Sequence, residues 1–379
     1  MFTHVRLENW RNFITADVAL GRRVFLVGPN ASGKSNFLDA FRFLRDAAEP
    51  QGGFQRAVAE QRGTVSQIRS LHARRYSNVV IDVQLKLESG EWRYRLEFTQ
   101  DNQRRPIVAR ELVSRDGVEK LKRPNEQDDA DRTLLYQTHL EQVSANKEFR
   151  PVAEFMAAVR YSHMIPQLVR DPPRSVGKSW DPYGAKFLDQ LARMQREQPR
   201  IFRSRLKRIL EALKVAVPQL EKIELKRDVE GVPHLRGLYA HWRPNAGWQE
   251  EKQFSDGTLR LMGLLWALLD GTAPLLLEEP ELSLHAGVIR FIAPMMARIN
   301  RKGGRQVIVS THSAELLSDE GIPPEDVLML VPTKEGTDIQ VAADNAQIKA
   351  LVQGGLSVAD AVLPRTVPQN AEQLSMFGE

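Results

Sequence analysis

Cysteine is missing from all 379 residues, which excludes a disulfide framework, thiol catalysis and any zinc site built on thiolates. Long apolar runs are scarce as well. The most hydrophobic stretch, Leu259 to Leu277, is broken by Arg260, Asp270 and Gly271, so it reads as a buried helix, a turn and a buried strand, and no membrane partner is expected. Met1 to Glu8 alternate like a strand and lack the apolar core of a signal peptide, so a cytoplasmic protein is expected. The chain holds no internal repeat, no low-complexity tract and no sustained heptads, which excludes a long coiled coil. Neither sign of charge dominates. The 53 Lys+Arg against 48 Asp+Glu give a formal net charge of +5, a mild basic excess that permits a nucleic-acid partner without requiring one.

What is present begins with Gly28-Pro29-Asn30-Ala31-Ser32-Gly33-Lys34-Ser35, which satisfies G-x-x-x-x-G-K-[ST] at every fixed position. An apolar strand, Val24 to Val27, precedes it, and an amphipathic helix, Asn36 to Leu44, follows. Glycines let backbone N–H groups curl around a polyphosphate, and the helix N-terminus adds the positive end of its dipole. Lys34 would reach the β- and γ-phosphates, and the Ser35 hydroxyl would hold Mg²⁺. The segment implies a nucleoside triphosphate site.

The rest of the chain organises around that loop. Residues 76 to 119 alternate as a β-ribbon, Val79–Leu87, Trp92–Phe98 and Ile107–Val113. From 140 to 215 the pattern turns helical, and Pro199 divides its clearest stretch, Gly184 to Val217, into two helices. The last third returns to α/β alternation: helix 256–269, strand 274–278, helix 284–300, strand 305–310 and a short helix from Ser313. The expected domains are 1–138 (phosphate loop and β-ribbon), 139–250 (an inserted compact helical lobe), 251–345 (the rest of the α/β lobe) and 346–379 (a helix and tail).

Three further motifs lie in that last third. Phe254 to Arg260 is a Ser/Gly turn opening an apolar helix, either a plain capped start with Ser255 or Asp256 as N-cap or a second anion site. Leu275-Leu276-Leu277-Glu278-Glu279 is a buried strand ending in adjacent carboxylates, costly unless they meet a cation or handle a proton. One such carboxylate can support Mg²⁺ and the next can polarise a water for attack on the γ-phosphate. Val307 to Ser313 is another buried strand, delivering His312 to the edge where sheets of this kind bind ligands.

Together these motifs resemble the ATP-binding-cassette (ABC) ATPase head, and more closely its SMC/RecF/OLD branch. Glu8-Asn9-Trp10-Arg11-Asn12-Phe13 is similar to that branch's N-terminal strand motif, and Gly33 to Ala40, with Asn36, to its helix opening. Within the branch the chain is similar to stand-alone RecF-like bacterial ATPases of the AAA family. The resemblance implies an α/β P-loop fold: a mixed sheet, an N-terminal β-ribbon lobe and an inserted compact helical lobe. It implies a Mg²⁺-dependent ATPase with Arg11 on phosphate, Glu278 as the Walker B carboxylate, Glu279 as the catalytic glutamate and His312 as the switch histidine. Ser283, Leu284 and His285 fall at the D-loop. Gln137 falls at the Q-loop beside the metal, with Gln100 as its competitor. ATP would be sandwiched in a head-to-tail homodimer, with Ser255, Asp256 and Gly257 of one copy capping the nucleotide of the other.

Glu278 stands where the family usually has aspartate, so slow turnover, or an ATP-gated scaffold in place of an ATPase, is the alternative. A transporter ATPase is disfavoured by the N-terminal motif. Roughly 220 residues separate Lys34 from Gly257, too few for an SMC-type coiled coil. By analogy the protein would act in DNA repair or antiviral defence with a separately encoded TOPRIM-like nuclease. Arg69, Arg74 and Arg75, and Arg203, Arg205, Lys207 and Arg208, form basic clusters that suit DNA phosphates or a solvated face. Gln373 to Phe377 is similar to the pentapeptide that docks bacterial proteins on the sliding clamp.

Overall fold

The computed structural model describes residues 1–50, 53–74, 77–172, 183–243, 246–367 and 373, the side chain of Lys302 excepted. Arg75, Pro173 and Arg174, Pro244 and Asn245, and Leu374 to Phe377 lie outside the described residues. The chain divides into two units: Met1–Arg160 with Thr272–Leu276 and Asn300–Glu379, and Tyr161–Gly271 with Leu277–Ile299.

In chain order the strands open with β1 (Phe2–Trp10), β2 (Phe13–Ala19), β3 (Arg23–Val27), β4 (Val79–Leu87) and β5 (Gly90–Gln100). β6 (Pro106–Arg115), β7 (Val118–Arg123), β8 (Arg160–Ser162), β9 (Leu220–Arg227) and β10 (Pro233–Tyr239) follow. The last are β11 (Trp248–Glu250), β12 (Leu275–Glu278), β13 (Val307–Ser310), β14 (Val327–Thr333) and β15 (Gly336–Val341). Among the described residues they build three sheets, ordered β2-β1-β4-β5-β6-β7, β15-β14-β3-β13-β12-β8 and β11-β10-β9.

The expected β-ribbon is present as β4, β5 and β6, but it does not stand alone. β1 pairs antiparallel with β4, with Val5 opposite Val83, so the N-terminal hairpin extends the ribbon into a six-stranded sheet. In the second sheet β3 pairs parallel with β13 and with β14. Parallel strands expose the ends of their connections at one edge, the edge where ligands of α/β folds bind. Gln306, just before β13, fastens the two sheets of this unit: its side chain accepts from Phe2 N–H at 2.8 Å and donates to Phe2 O and Gly21 O, both at 2.7 Å.

Helix α1 (Lys34–Ala47) buries Phe37, Leu38, Phe41, Phe43 and Leu44 at helical spacing. Phe43 stacks on Phe98 of β5 at 5.2 Å, and Phe41 meets Phe2 edge-on at 4.8 Å, so the helix after the phosphate loop is held by aromatic packing on the first sheet. Two shorter helices, α2 (Gly53–Arg62) and α3 (Val65–Ile68), follow it.

The second unit carries the expected helix pair, Phe187–Glu197 and Pro199–Ala216, broken at Pro199. Their apolar faces meet Trp266 of the helix Asp256–Leu269, with Phe187 and Phe202 at 6.3 and 6.2 Å from its ring. Beyond residue 216 the lobe is not helical but adds the sheet β11-β10-β9. Leu220, Ile223 and Leu225, and Pro233, Leu235 and Gly237, are its buried residues. This near-alternation is half hidden by the charged residues between them, which is why a helical reading passed over it.

Candidate nucleotide site

The loop Gly28–Gly33 leaves β3 and enters α1 through Gly33, whose φ of 97° is a left-handed cap. A Cβ there would lie 2.1 Å from Asn12 Nδ2, so only glycine fits. Asn12 explains the crowding. Its Nδ2 donates to Ser32 O at 3.0 Å and to Thr337 Oγ1 at 2.7 Å, and its Oδ1 accepts from Asn36 Nδ2 at 2.8 Å. Thr337 Oγ1 donates to Ser32 O at 2.9 Å. The N-terminal motif and the β14–β15 hairpin therefore brace the loop from below. Thr337 was not legible in the sequence, because nothing local marks a threonine some 300 residues away as part of a phosphate loop.

Lys34 is buried, with its Nζ donating to Gly28 O at 2.7 Å and Pro29 O at 3.0 Å. The ammonium thus lies against the loop's own carbonyls, where a polyphosphate oxygen would compete for it. The Ser32 hydroxyl is buried with no hydrogen-bond partner among the described residues. Such an orphan is costly unless a ligand satisfies it. Asn30, Ala31 and Ser35 are exposed, and Pro29 is half-buried, so the mouth of the loop is open.

Arg11 sits in the β1–β2 turn at φ 53°, with its Nη1 on Gln67 O at 3.1 Å and its Nη2 on Asp39 Oδ2 at 3.4 Å. Its Nε is buried and unpartnered among the described residues. Asp39 is shared with Arg62, at 2.7 Å; burial pushes its carboxyl up, but Arg62, with Arg42 and Arg11, outweighs that and holds it below the usual range. The parallel pairing of β13 with β3, Ser310 opposite Leu26, brings His312 out at the edge where the loop begins, and Thr311 N–H donates to Leu26 O at 3.0 Å.

The two candidate glutamines lie apart. Gln100 Oε1 accepts from Ser66 Oγ at 3.2 Å, beside α3, on which Arg11 rests. Gln137 is exposed after the turn Arg132–Tyr136, its carbonyl bound by Arg123 Nη1 at 2.8 Å.

The second unit holds the other motifs. Ser255 caps the helix Asp256–Leu269, its Oγ accepting from Thr258 N–H at 3.2 Å. Ser255 is exposed. A Cβ on Gly257 would stand 2.6 Å from Ser283 O, so the glycine is there to let the Ser283 backbone approach. Glu279 and Ser283 both adopt left-handed conformations, φ 43° and 60°, which non-glycine residues reach at a cost and which cluster at functional sites. The Glu278 carboxylate accepts from Tyr161 OH, and Glu278 O is 3.1 Å from His163 Nδ1. Arg260, on the Asp256–Leu269 helix, has its pKa lowered by burial, an effect that the charges of Asp256 and Glu279 oppose.

Of the basic clusters, Arg205 is occupied: its Nη1 donates to Asp270 Oδ1 at 2.8 Å, and its guanidinium lies 5.6 Å over Trp266. Arg203, Lys207 and Arg208 are exposed, Arg69 is half-buried, and Arg74 pairs with Glu335. Among the described residues no three His, Cys, Asp or Glu gather as a metal site, and no helix is long and apolar enough to cross a membrane.

A family profile described as "AAA domain, putative AbiEii toxin, Type IV TA system" matches residues 23–318, from β3 through His312. The chain belongs to that family. Among solved structures, an SMC head bound to the C-winged helix domain of ScpA is similar with a TM-score of 0.55 at 11% identity, covering 89% of this chain and 97% of that one. An SMC head domain from Thermotoga maritima gives a TM-score of 0.47 at 12% identity, over 90% and 98% of the two chains. An SMC head with an extended coiled coil, bound to the C-terminal domain of ScpA derived from Pyrococcus furiosus, gives 0.49 at 11%, over 93% and 99%. No curated protein matches the sequence. The first of these likenesses gives the fold, that of an SMC head, and the profile gives the family, an AAA domain.

Proposed function

We propose that the chain is a cytoplasmic ATPase that binds ATP on the loop Gly28–Ser35 and closes head to tail with a second copy over the bound nucleotide. It would bind DNA and serve repair, or defence against phage and plasmids, through a separately encoded effector. The observation that carries the reading is the braced loop, in which Lys34 rests on two carbonyls and the Ser32 hydroxyl is buried without a partner. Both features suit a phosphate that would draw Lys34 outward and satisfy Ser32.

Oxygen donors suit Mg²⁺, and Ser35, Glu278 and Gln137 are the residues that would hold it. Mg²⁺ held there would supply positive charge against that of the phosphates. Glu279 would polarise the attacking water, His312 would hydrogen-bond the γ-phosphate, and Arg11 would leave Asp39 for phosphate. Ser255 and Gly257 would cap the nucleotide of the other copy, so that binding and dimerisation are linked. The exposed Arg203, Lys207 and Arg208 favour a sequence-independent DNA contact. The family's description as a toxin of a toxin–antitoxin system supports the defence setting. An SMC head's binding to ScpA supports a partner protein.

Steady-state phosphate release tests the enzyme. Wild type releases phosphate above background, Glu279→Gln does not, and silence from both, with or without DNA, sinks it in favour of the non-hydrolysing scaffold.

A further inference from the structure

One short segment of the second unit touches both the strand end at Glu278 and the turn at Ser255–Gly257. At its start, in β8, Tyr161 OH donates to the Glu278 carboxylate. Two residues on, His163 Nδ1 meets Glu278 O at 3.1 Å, which makes Nδ1 the protonated nitrogen because a carbonyl only accepts. Met164 then lies so close to Gly263 that a Cβ there would be 2.3 Å from its sulfur, which locks the segment onto the Asp256–Leu269 helix. At the segment's end Arg170 Nη2 donates to Phe254 O and to Asp256 Oδ1, both at 2.6 Å, and Gln167 Nε2 approaches Asp256 Oδ2 at 3.4 Å.

We propose that Tyr161–Arg170 is a strap that positions both motifs: Tyr161 orients the Glu278 carboxylate for the metal, and Arg170 fixes the start of the Ser255–Gly257 helix through Asp256. The inference rests on the proposed function and deepens it. Glutamate has one more rotatable bond than the aspartate usual in the family, so its carboxylate needs an outside hold to be presented in one place. A phenol donating to a carboxylate is a charge-assisted bond that supplies such a hold. At the other end, one guanidinium bridging Phe254 O and the Asp256 carboxylate pins the backbone on either side of Ser255. Both are positioning residues, acting through groups that face the ligand.

The test uses the full chain with Tyr161→Phe and with Arg170→Ala, and Arg170→Lys stands in should the alanine variant fail to fold. The first readout is the ratio of affinities for a fluorescent ATP analogue with and without Mg²⁺. The second is amide hydrogen exchange over residues 256–260 without nucleotide. Tyr161→Phe is expected to lower the Mg²⁺ ratio about tenfold, the scale of one charge-assisted bond. Arg170→Ala is expected to speed exchange over 256–260 about tenfold, while Arg170→Lys, which keeps the charge on a shorter-reaching ammonium, falls between. An unchanged Mg²⁺ ratio in Tyr161→Phe, or unchanged exchange in the Arg170 variants, overturns the strap. Should wild type bind no ATP analogue, the proposed function falls instead, and the exchange measurement still decides the Arg170 end.

Discussion

Thr337 Oγ1 donates to the carbonyl of Ser32 at 2.9 Å while accepting from Asn12 Nδ2 at 2.7 Å, so a hairpin near the end of the chain holds the phosphate loop near its start. The two groups are buried, and removing the hydroxyl leaves Ser32 O and Asn12 Nδ2 each one partner short. Thr337→Val keeps the shape and deletes only the bonds. It is expected to cost about 1–2 kcal/mol of stability, read from the urea midpoint, and to weaken ATP binding several-fold. An unchanged affinity would mean the brace does not shape the loop.

Lys34→Ala separates binding from folding. Two of the ammonium's partners, Gly28 O and Pro29 O, are carbonyls of its own loop, so the bonds lost to them stay within the loop. ATP affinity should fall by about 10- to 100-fold, the scale of a hydrogen bond between charged groups, while the melting temperature without nucleotide moves little. Calorimetric titration reads the first and thermal unfolding the second.

Much of this site was legible because its signals are local. The loop Gly28–Ser35, the Ser255 cap and the strands ending at Glu278 and Ser310 each fit within about a dozen residues, and each emerged as the pattern demands. Thr337, Tyr161 and Arg170 were not legible. Their partners are Ser32, Glu278 and Asp256, brought near by tertiary packing alone. The β9–β11 sheet escaped for a different reason. Its inward face is short and diluted by Lys222, Glu224 and Lys226, so the period-two signal is weak.

Gly257→Ala puts a methyl group 2.6 Å from Ser283 O, closer than real contacts allow. The backbone must shift, and both the Ser255–Gly257 turn and the segment at Ser283 move with it. Light scattering of a Glu279→Gln background with ATP is expected to show a doubled mass, and adding Gly257→Ala should abolish it. Doubling that survives the alanine would place the capping function elsewhere.

Acid should loosen the turn that carries Gln137. Burial, aided by the charge of Arg123, lowers the His139 pKa to about 4 from 6.5, with Asp128 acting the other way. The unfolded chain therefore takes up this proton first, and His139's contribution is complete above about pH 6.5 and lost as pH falls toward 4. Buried Glu111 runs oppositely, because its raised pKa lets the folded chain keep a proton that the unfolded chain has released. Comparing His139→Gln with wild type isolates the histidine. Between pH 7 and 4.5 the variant should lose less stability, by on the order of 1 kcal/mol once partial solvent access is allowed for. Parallel urea midpoints across that range would contradict it.

The helix Pro199–Ala216 offers a test in which neighbouring arginines part company. Arg203, Lys207 and Arg208 are exposed, whereas Arg205 is held by Asp270 and Trp266. If the helix meets DNA phosphates, Arg203→Glu with Lys207→Glu should weaken binding uniformly across sequences and reduce the salt slope by about one for each lost contact. Arg205→Ala should instead cost about 1–2 kcal/mol of stability and leave the slope alone, since its charge is spent inside the unit. Titrations of a short duplex at several salt concentrations distinguish these, and a slope unmoved by the double charge reversal removes this helix from the DNA surface.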